Sequence, residues 1–206
     1  MRLSVVDAGL GNVKSIKRMV EHIGGEAEIL SDPAALVDAD AVLLPGVGHF
    51  DYGMQLLHDG DWIAPLRQAA FDRRVPFLGI CLGMQLMCRG SEEGERPGLG
   101  WIDADVKRID RGSDTRLKIP HVGWTETRVE KPGDILPEDD PDLRYYYVHS
   151  YRAVCDQPED VLCSADYGTR FTSGFAHDNL RGVQFHPEKS HRFGMELFRR
   201  WLKVSS

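Results

Sequence analysis

The sequence lacks the features typical of exported, membrane-spanning and nucleic-acid-binding proteins. None of its apolar runs approaches the length of a membrane span, and a charged residue, Asp7, interrupts the first apolar stretch too early for a secretory signal. No basic cluster offsets the formal net charge of −7, which repels phosphate backbones and anionic lipid surfaces. We therefore expect a soluble cytoplasmic protein that binds neither nucleic acid nor membranes.

Cysteine is scarce, and its spacing favours neither a disulfide framework nor a metal site. The chain has four cysteines and no C-x-x-C pair, no H-E-x-x-H motif and no Cys/His cluster at zinc-finger spacing. We expect no metal and no cofactor. Each cysteine is by default a small buried residue, and only its local context can suggest more.

No Pro/Gly/Ser-rich or strongly charged stretch divides the chain, so we predict a single domain over residues 1–206. The 42% apolar content is sufficient for a sizeable core. In the first half, predicted strands at 3–6, 41–44 and 75–80 alternate with helices at 13–23 and 62–74. This alternation predicts a parallel sheet covered on both faces.

The second half contains little helical periodicity before its last helix. Predicted strands follow one another through turns, at 101–109, 143–154, 161–165, 171–176 and 182–185. A final helix over 190–204 places Phe193, Leu197 and Trp201 on one face, which indicates core packing. We therefore predict an α/β fold with a mostly parallel central sheet, antiparallel additions and flanking helices.

Cys81 lies where a predicted buried strand passes into a helix-compatible run, with Gly79 and Gly83 two residues away on either side. This is the G-x-S-x-G elbow of hydrolases with cysteine in place of serine. The glycines allow a tight turn, the helix N-terminus favours a thiolate, and the N–H of Leu82 would point toward an oxyanion. The motif alone leaves a nucleophile and a buried structural thiol equally supported.

His186, Pro187 and Glu188 follow another predicted strand and supply a base, a rigid spacer and an acid in one turn. An imidazole can take the thiol proton, and a carboxylate on its other nitrogen can fix the tautomer. The glycine-rich run 45–48 also ends a strand, so in a parallel sheet it could lie beside the elbow. It is interpreted equally well as a second oxyanion donor or as an ordinary turn.

Together, the run from Gly79 to Gln85 and the triplet His186-Pro187-Glu188 resemble the class I (triad) glutamine amidotransferases. The chain is most similar to the glutaminase subunit of imidazole glycerol phosphate synthase. The supporting motifs are Gly11-Asn12, Pro45 to Gly48, Pro120 to Trp124, Tyr147 to Tyr151 and Gly182 to Ser190. The resemblance implies a flavodoxin-like class I glutamine amidotransferase fold, with Cys81 as nucleophile, His186 as acid and base, and Glu188 as the group that orients His186.

The resemblance also implies the substrate. L-Glutamine would form a γ-glutamyl thioester on Cys81 with loss of ammonia, and water would then release glutamate. The substrate contacts implied are Gly46, Val47, Gly48, Leu82, Gln85, Ser150 and Tyr151. An amide side chain such as that of Gln85 can satisfy the polar ends of an amino acid, although a plain helix residue fits the same position.

A partner is implied as well, because the family delivers ammonia to a barrel-shaped cyclase subunit for imidazole glycerol phosphate synthesis in histidine biosynthesis. The chain has no Walker A loop, no G-x-G-x-x-G and no spare domain that could bind the acceptor. The resemblance places contacts in a heterodimer at Asn12, His121, Trp124 and Lys189. These positions could equally be loop residues without a partner, and we expect the rings of His121 and His149 to be structural.

Two departures from the family pattern leave the pathway open. Ala8 replaces a common tyrosine, and Thr125 replaces a common asparagine, both on the side assigned to the partner. A paralogue that supplies ammonia in surface-polysaccharide synthesis is therefore an alternative to histidine biosynthesis.

Two further alternatives concern the chemistry. Another cysteine hydrolase with an elbow would not be expected to carry His186-Pro187-Glu188. A regulatory, non-catalytic copy would be expected to lose at least one of Cys81, His186 and Glu188.

Overall fold

The computed structural model describes residues 1–114 and 116–203, in which eleven strands form one sheet with helices on both faces. The strands are β1 (Arg2–Val6), β2 (Glu26–Leu30), β3 (Ala41–Gly46), β4 (Phe77–Cys81), β5 (Ala104–Arg108), β6 (His121–Val129), β7 (Arg144–His149), β8 (Tyr151–Cys155), β9 (Val161–Tyr167), β10 (Thr169–His177) and β11 (Leu180–Val183). The helices are α1 (Val13–His22), α2 (Phe50–Asp59), α3 (Ile63–Arg67), α4 (Leu82–Leu86) and α5 (His191–Leu202). The predicted end of the last helix, at 204, lies outside the described residues. No helix in the described ranges is both long and apolar enough to cross a membrane.

The sheet has a parallel half and an antiparallel half. Strands β2, β1, β3, β4 and β11 lie side by side and pair in parallel. This order is typical of flavodoxin-like doubly wound folds. Beyond β11, strands β10, β9, β6 and β7 continue the sheet with antiparallel pairing, and β8 joins β5 to β10. The predicted fold class is confirmed.

Alternating strand residues build a separate core on each face of the sheet. Leu3 and Val5 of β1 join the core formed with α1 and α5, whereas the next residue, Val6, joins the core formed with α2, α3 and α4. Successive side chains of a strand point to opposite faces, so continuous apolar strands serve both cores. Phe193, Leu197 and Trp201 of α5 are 7%, 0% and 6% exposed, which confirms their predicted core packing.

Three elements are not predicted from the sequence. Strand β2 is an edge strand with two glutamates, and glutamate and alanine have low strand propensity. Strand β6 carries several polar residues on a partly exposed face. Helix α2 contains Gly53, where a Cβ would lie 3.1 Å from the Leu82 side chain. Close packing against α4 explains a glycine that weakens the helical pattern.

Two predicted elements have a different form. The predicted strand 143–154 is two strands, β7 and β8, separated at Ser150. The chain changes partners there, because β7 pairs with β6 whereas β8 pairs with β5. The predicted helix 62–74 is α3 followed by a π-helical turn, Gln68–Asp72.

Candidate active site

Cys81 is the last residue of β4 and lies at a sharp turn into α4, with φ 53° and ψ −111°. A positive φ is rare outside glycine and recurs at nucleophile elbows. A Cβ on Gly83 would lie 1.9 Å from the Leu44 carbonyl oxygen, and one on Gly79 would lie 2.7 Å from the Met84 nitrogen. The two flanking glycines are therefore required because β3, β4 and α4 approach too closely for any side chain.

His186 and Glu188 form a buried pair immediately after β11. The His186 Nδ1 lies 2.9 Å from Glu188 Oε1, and both side chains are 4% exposed. Because the carboxylate can only accept, the Nδ1–H donates to it. Burial opposes protonation of His186, but the Cys81 sulfur and the Glu188 carboxylate together outweigh this and raise the pKa of His186 well above its usual range. The site therefore favours an imidazolium beside the sulfur.

A cavity of about 280 Å³ brings most of the predicted site residues together. Cys81 and His186 line it with Val47, Gly48, Leu82, Gln85, Ser150, Tyr151 and Lys189. Glu188 lies behind His186, and its other oxygen, Oε2, is buried without a hydrogen-bond partner in the described structure. Gly46 is not on the wall: a Cβ there would lie 2.6 Å from the Gly83 nitrogen, so Gly46 serves the packing beneath the elbow.

The Gln85 side chain has both of its N–H groups committed. Its Nε2 donates to the Tyr151 carbonyl oxygen at 3.1 Å and to Gln184 Oε1 at 2.8 Å. Gln85 is 5% exposed and lines the cavity. Its carbonyl oxygen is thus the atom that remains available to a ligand.

The cavity also contains residues that sequence reasoning missed. Glu93, Pro120, Val148 and His149 line it, although Pro120 belongs to a motif assigned to the partner. Glu93 lies in the loop after α4, and its Oε2 accepts a hydrogen bond from the Phe50 N–H at 2.8 Å. Its neighbourhood, Ser91-Glu92-Glu93-Gly94, has the composition of a solvated loop, so no local signal separates Glu93 from Glu92.

The loop after β3 does not point its amide into the cavity. The Val47 N–H donates to the Leu10 carbonyl oxygen, so it is not free to bind an oxyanion. The next residue, Gly48, has φ 109°. In this arrangement the predicted second oxyanion donor faces away from the sulfur.

The four residues predicted to contact a partner differ in exposure. Asn12 is exposed and caps α1 by accepting a hydrogen bond from the Ser15 N–H at 3.4 Å. Trp124 is 43% exposed, and Lys189 is exposed with its Nζ 6.0 Å from the centre of the Tyr146 ring.

His121, in contrast, is 2% exposed and faces inward from β6. A direct contact of its ring with a partner is therefore not available in this conformation. The expected contact of His121 with a partner is therefore not supported, and its burial agrees with the structural role expected for the ring.

A larger cavity, of about 460 Å³, lies away from the cysteine and is lined by Arg67, Phe71 and Trp101 among others. Trp101 packs edge-on against Phe77, the first residue of β4, whereas Cys81 is the last. The larger cavity therefore lies toward the opposite end of that strand, and no cysteine lines it. Its histidine, His58, lies 3.5 Å from Asp59 in a pair that is exposed to solvent. The smaller cavity, with a cysteine beside a buried histidine–carboxylate pair, is the candidate active site.

Residues 4–204 match the sequence profile of the family described as glutamine amidotransferase class-I. This chain belongs to that family.

Two members of the family illustrate the similarity over the full length. The chain is 42% identical to the imidazole glycerol phosphate synthase subunit HisH 2 of Pseudomonas aeruginosa, covering 97% of this chain and 98% of that protein. It is 41% identical to the protein of the same name from Methanococcus maripaludis, covering 98% of each. Among solved structures, PurLQS from Thermotoga maritima aligns with a TM-score of 0.75 at 20% identity, covering 98% of this chain and 97% of that one. At that identity the structural match supports the fold alone.

Proposed function

We propose that this chain is the glutaminase subunit of an imidazole glycerol phosphate synthase and works in the cytoplasm as one domain over residues 1–206. It hydrolyses L-glutamine to glutamate and ammonia, and the ammonia passes to a cyclase partner in histidine biosynthesis. The observation that carries the proposal is the placement of Cys81, at a strained elbow, in one cavity with His186, which is paired with the buried Glu188 behind it. Full-length similarity to proteins named as this subunit supports the pathway and the partner.

In the proposed reaction, Cys81 is the nucleophile and His186 moves the protons. The thiolate attacks the carboxamide carbon, and the imidazolium gives its proton to the leaving nitrogen. The C–N bond then breaks, so that ammonia leaves and a γ-glutamyl thioester remains on Cys81. His186 then takes a proton from water, whose oxygen attacks the thioester and releases glutamate. Glu188 holds the Nδ1–H at 2.9 Å, so the Nε2 is the nitrogen that exchanges protons.

We propose that the amino-acid end of glutamine is bound at the wall opposite His186. The free carbonyl oxygen of Gln85 and the carboxylate of Glu93 both line the cavity and suit an α-ammonium group. The backbone near Ser150 and Tyr151, with Leu82, Val47 and Gly48, would enclose the rest of the substrate.

The proposed interface adjoins this cavity at Lys189. Trp124 and Val122 are 43% and 55% exposed on the same strand, Lys189 lines the cavity and is itself exposed, and Asn12 lies in the loop that accepts the Val47 N–H. Exposed aromatic and apolar side chains are typical of interfaces. Binding of a partner there would reorient the Val47 peptide and complete the oxyanion hole.

Steady-state ammonia release from glutamine tests this function. The isolated chain should turn over slowly, and addition of the cyclase with its nucleotide ligand should accelerate it, because the resting Val47 N–H is bound to Leu10. Equal rates with and without the partner would refute the coupling.

A second candidate is the paralogue that supplies ammonia in surface-polysaccharide synthesis. Ala8 and Thr125, which depart from the pattern of the synthase subunit, favour it. Affinity purification from the native organism separates the two: recovery of the cyclase of histidine biosynthesis supports the first proposal, and recovery of a cyclase encoded with polysaccharide genes supports the second.

A further inference from the structure

Gln184 is a buried amide that contacts the reacting sulfur. It follows β11 directly, is 0% exposed, and its backbone N–H donates to the Ser173 carbonyl oxygen at 2.8 Å. Its Nε2 lies 3.6 Å from Cys81 Sγ and donates to it. Gln184 therefore adds a neutral donor to the sulfur, on a side chain distinct from the His186–Glu188 pair.

The direction of this hydrogen bond is set by the neighbouring groups. The Tyr151 carbonyl oxygen can only accept, so the atom of Gln85 that faces it at 3.1 Å is the nitrogen. The same nitrogen faces Gln184 at 2.8 Å, so Gln184 presents its oxygen there. The amide of Gln184 must then present its nitrogen to Cys81.

Two buried histidines continue the chain from the same carbonyl group. The Tyr151 oxygen also accepts from His149 Nδ1 at 2.9 Å, which leaves His149 Nε2 as an acceptor. His121 Nδ1 lies 2.9 Å from that atom and donates to it, and His121 Nε2 in turn accepts from Thr125 Oγ1 at 2.8 Å. Each hydrogen bond of the chain, from β6 to the nucleophile, therefore joins a donor to an acceptor.

Burial keeps both rings neutral, as this chain of hydrogen bonds requires. It lowers the pKa of His121 to about 4 and that of His149 to about 3. A proton added to His149 Nε2 would point at the Nδ1–H of His121 and break the chain. The pattern therefore holds throughout the neutral pH range, while His186 nearby carries the proton.

We propose that Gln184 stabilises the thiolate of Cys81, and that His149 and His121 are positioning residues that hold the Tyr151 carbonyl group in place, to which the amide of Gln85, and through it that of Gln184, is bound. The inference rests on the proposed glutaminase function and deepens it. A hydrogen bond to an anionic sulfur strengthens as charge accumulates there. Displacement of β6 at Thr125, next to the exposed Trp124, would be transmitted to the nucleophile along matched hydrogen bonds.

Alkylation of Cys81 by iodoacetamide, measured against pH by mass spectrometry of its peptide, tests the role of Gln184 without glutamine. Gln184→Met keeps the length of the side chain but loses the hydrogen-bond donor. In this variant the rate of Cys81 alkylation at pH 7 should fall about tenfold, and the midpoint of the alkylation rate against pH should move to higher pH. Ser173→Ala is the matched control, because Ser173 Oγ donates to a different buried sulfur, Cys163 Sγ, at 3.2 Å. It should leave the Cys81 profile unchanged.

The histidine chain is tested by two variants at one position. An asparagine places its amide nitrogen where His149 Nδ1 lies, so His149→Asn should largely retain the alkylation profile of Cys81, whereas His149→Leu should shift it as Gln184→Met does. This pair also decides the question if Gln184→Met does not fold. Identical profiles for His149→Leu and the unmodified chain, or for Gln184→Met and the unmodified chain, would overturn the proposal.

The failure of this inference and that of the proposed function can be told apart. Alkylation reports on the sulfur whether or not glutamine is the substrate. If the alkylation profile of Gln184→Met is shifted but the unmodified chain releases no ammonia from glutamine, the role of Gln184 stands and the glutaminase function is rejected. If the profile is not shifted but the unmodified chain releases ammonia, the glutaminase function stands and the role of Gln184 is rejected.

Discussion

Two turns at the same edge of the sheet, one after β4 and one after β3, are built in opposite ways. They are neighbours, because Gly46 pairs with Cys81 in the register of the two parallel strands. The elbow at Cys81 is enclosed, with no space for a side chain at Gly83. At Gly48 a Cβ would meet nothing within 4 Å, and Val47 is 51% exposed.

Packing therefore constrains the two turns of this site unequally. The nucleophile is held by close packing, because β3, β4 and α4 leave no space around the glycines that flank it. The loop that would supply an oxyanion donor has space to change, and its Val47 N–H is bound elsewhere at rest. With a packed elbow and an unpacked loop, a partner could change the rate of glutamine hydrolysis by moving the loop without moving the sulfur.

Removal of the nucleophile should have the largest effect. Cys81→Ala should lower glutaminase activity by about a thousandfold or more while the fold is retained, because no other group can form the thioester. Ammonia release and circular dichroism measure the two properties. Cys155→Ala is the matched control, since Cys155 lies in β8 and does not line the cavity; substantial turnover by Cys81→Ala would contradict the assignment.

Alanine at the two glycines tests the comparison directly. Gly83→Ala should destabilise the protein by about 3 kcal/mol or more, because its methyl group would lie 1.9 Å from the Leu44 oxygen. Gly48→Ala should cost about 1–2 kcal/mol, from the positive φ of 109° alone. Urea unfolding measures both values. Equal costs would show that the two turns are not built differently.

Glu188→Gln removes the charge that orients His186 and should reduce turnover roughly a hundredfold. Because Glu188 helps to raise the pKa of His186, that pKa should fall in the variant. The alkaline limb of the pH–rate profile, where the imidazolium is lost, should then move to lower pH. A limb that stays in place or moves upward would show that Glu188 does not act on His186.

The smallest effect is expected at the N-terminus of α1, which follows the loop that accepts the Val47 N–H. Asn12→Ala removes the side-chain cap of α1 and should cost about 1 kcal/mol in the free energy of unfolding. Asn12→Asp, which keeps an acceptor at the same position, should retain most of the stability in the same urea titration. A loss as large in Asn12→Asp as in Asn12→Ala would mean that the cap contributes nothing.

Much of the site could be predicted because its main residues lie in short, ordered motifs. Cys81 is found from two glycines within five residues, and His186 and Glu188 are two positions apart. Glu93 could not be found in this way, since it reaches the cavity from an acidic loop and is held by the Phe50 N–H, 43 positions away. Gln184 lies within the motif Gly182 to Ser190, yet its hydrogen bond to the sulfur joins it to Cys81, 103 positions away.

In the fold, too, the elements that could be predicted are those whose signal lies in neighbouring residues. The apolar runs of β1, β3 and β4 were predicted because buried parallel strands have an unmistakable composition. The edge strand β2 and the polar strand β6 were missed, because their strand form comes from pairing with distant neighbours rather than from their own residues.

Local sequence patterns are sufficient to predict the buried strands β1, β3 and β4, the elbow at Cys81 and the pairing of an imidazole with a carboxylate, because each depends on residues a few positions apart. Long-range contacts, in contrast, place the ring of His121 inside the protein, the amide nitrogen of Gln184 on the sulfur and the Val47 N–H on the Leu10 carbonyl oxygen. These features depend on the orientation of single peptide and amide groups. That orientation is set by which distant acceptor lies within hydrogen-bonding distance once the strands have paired.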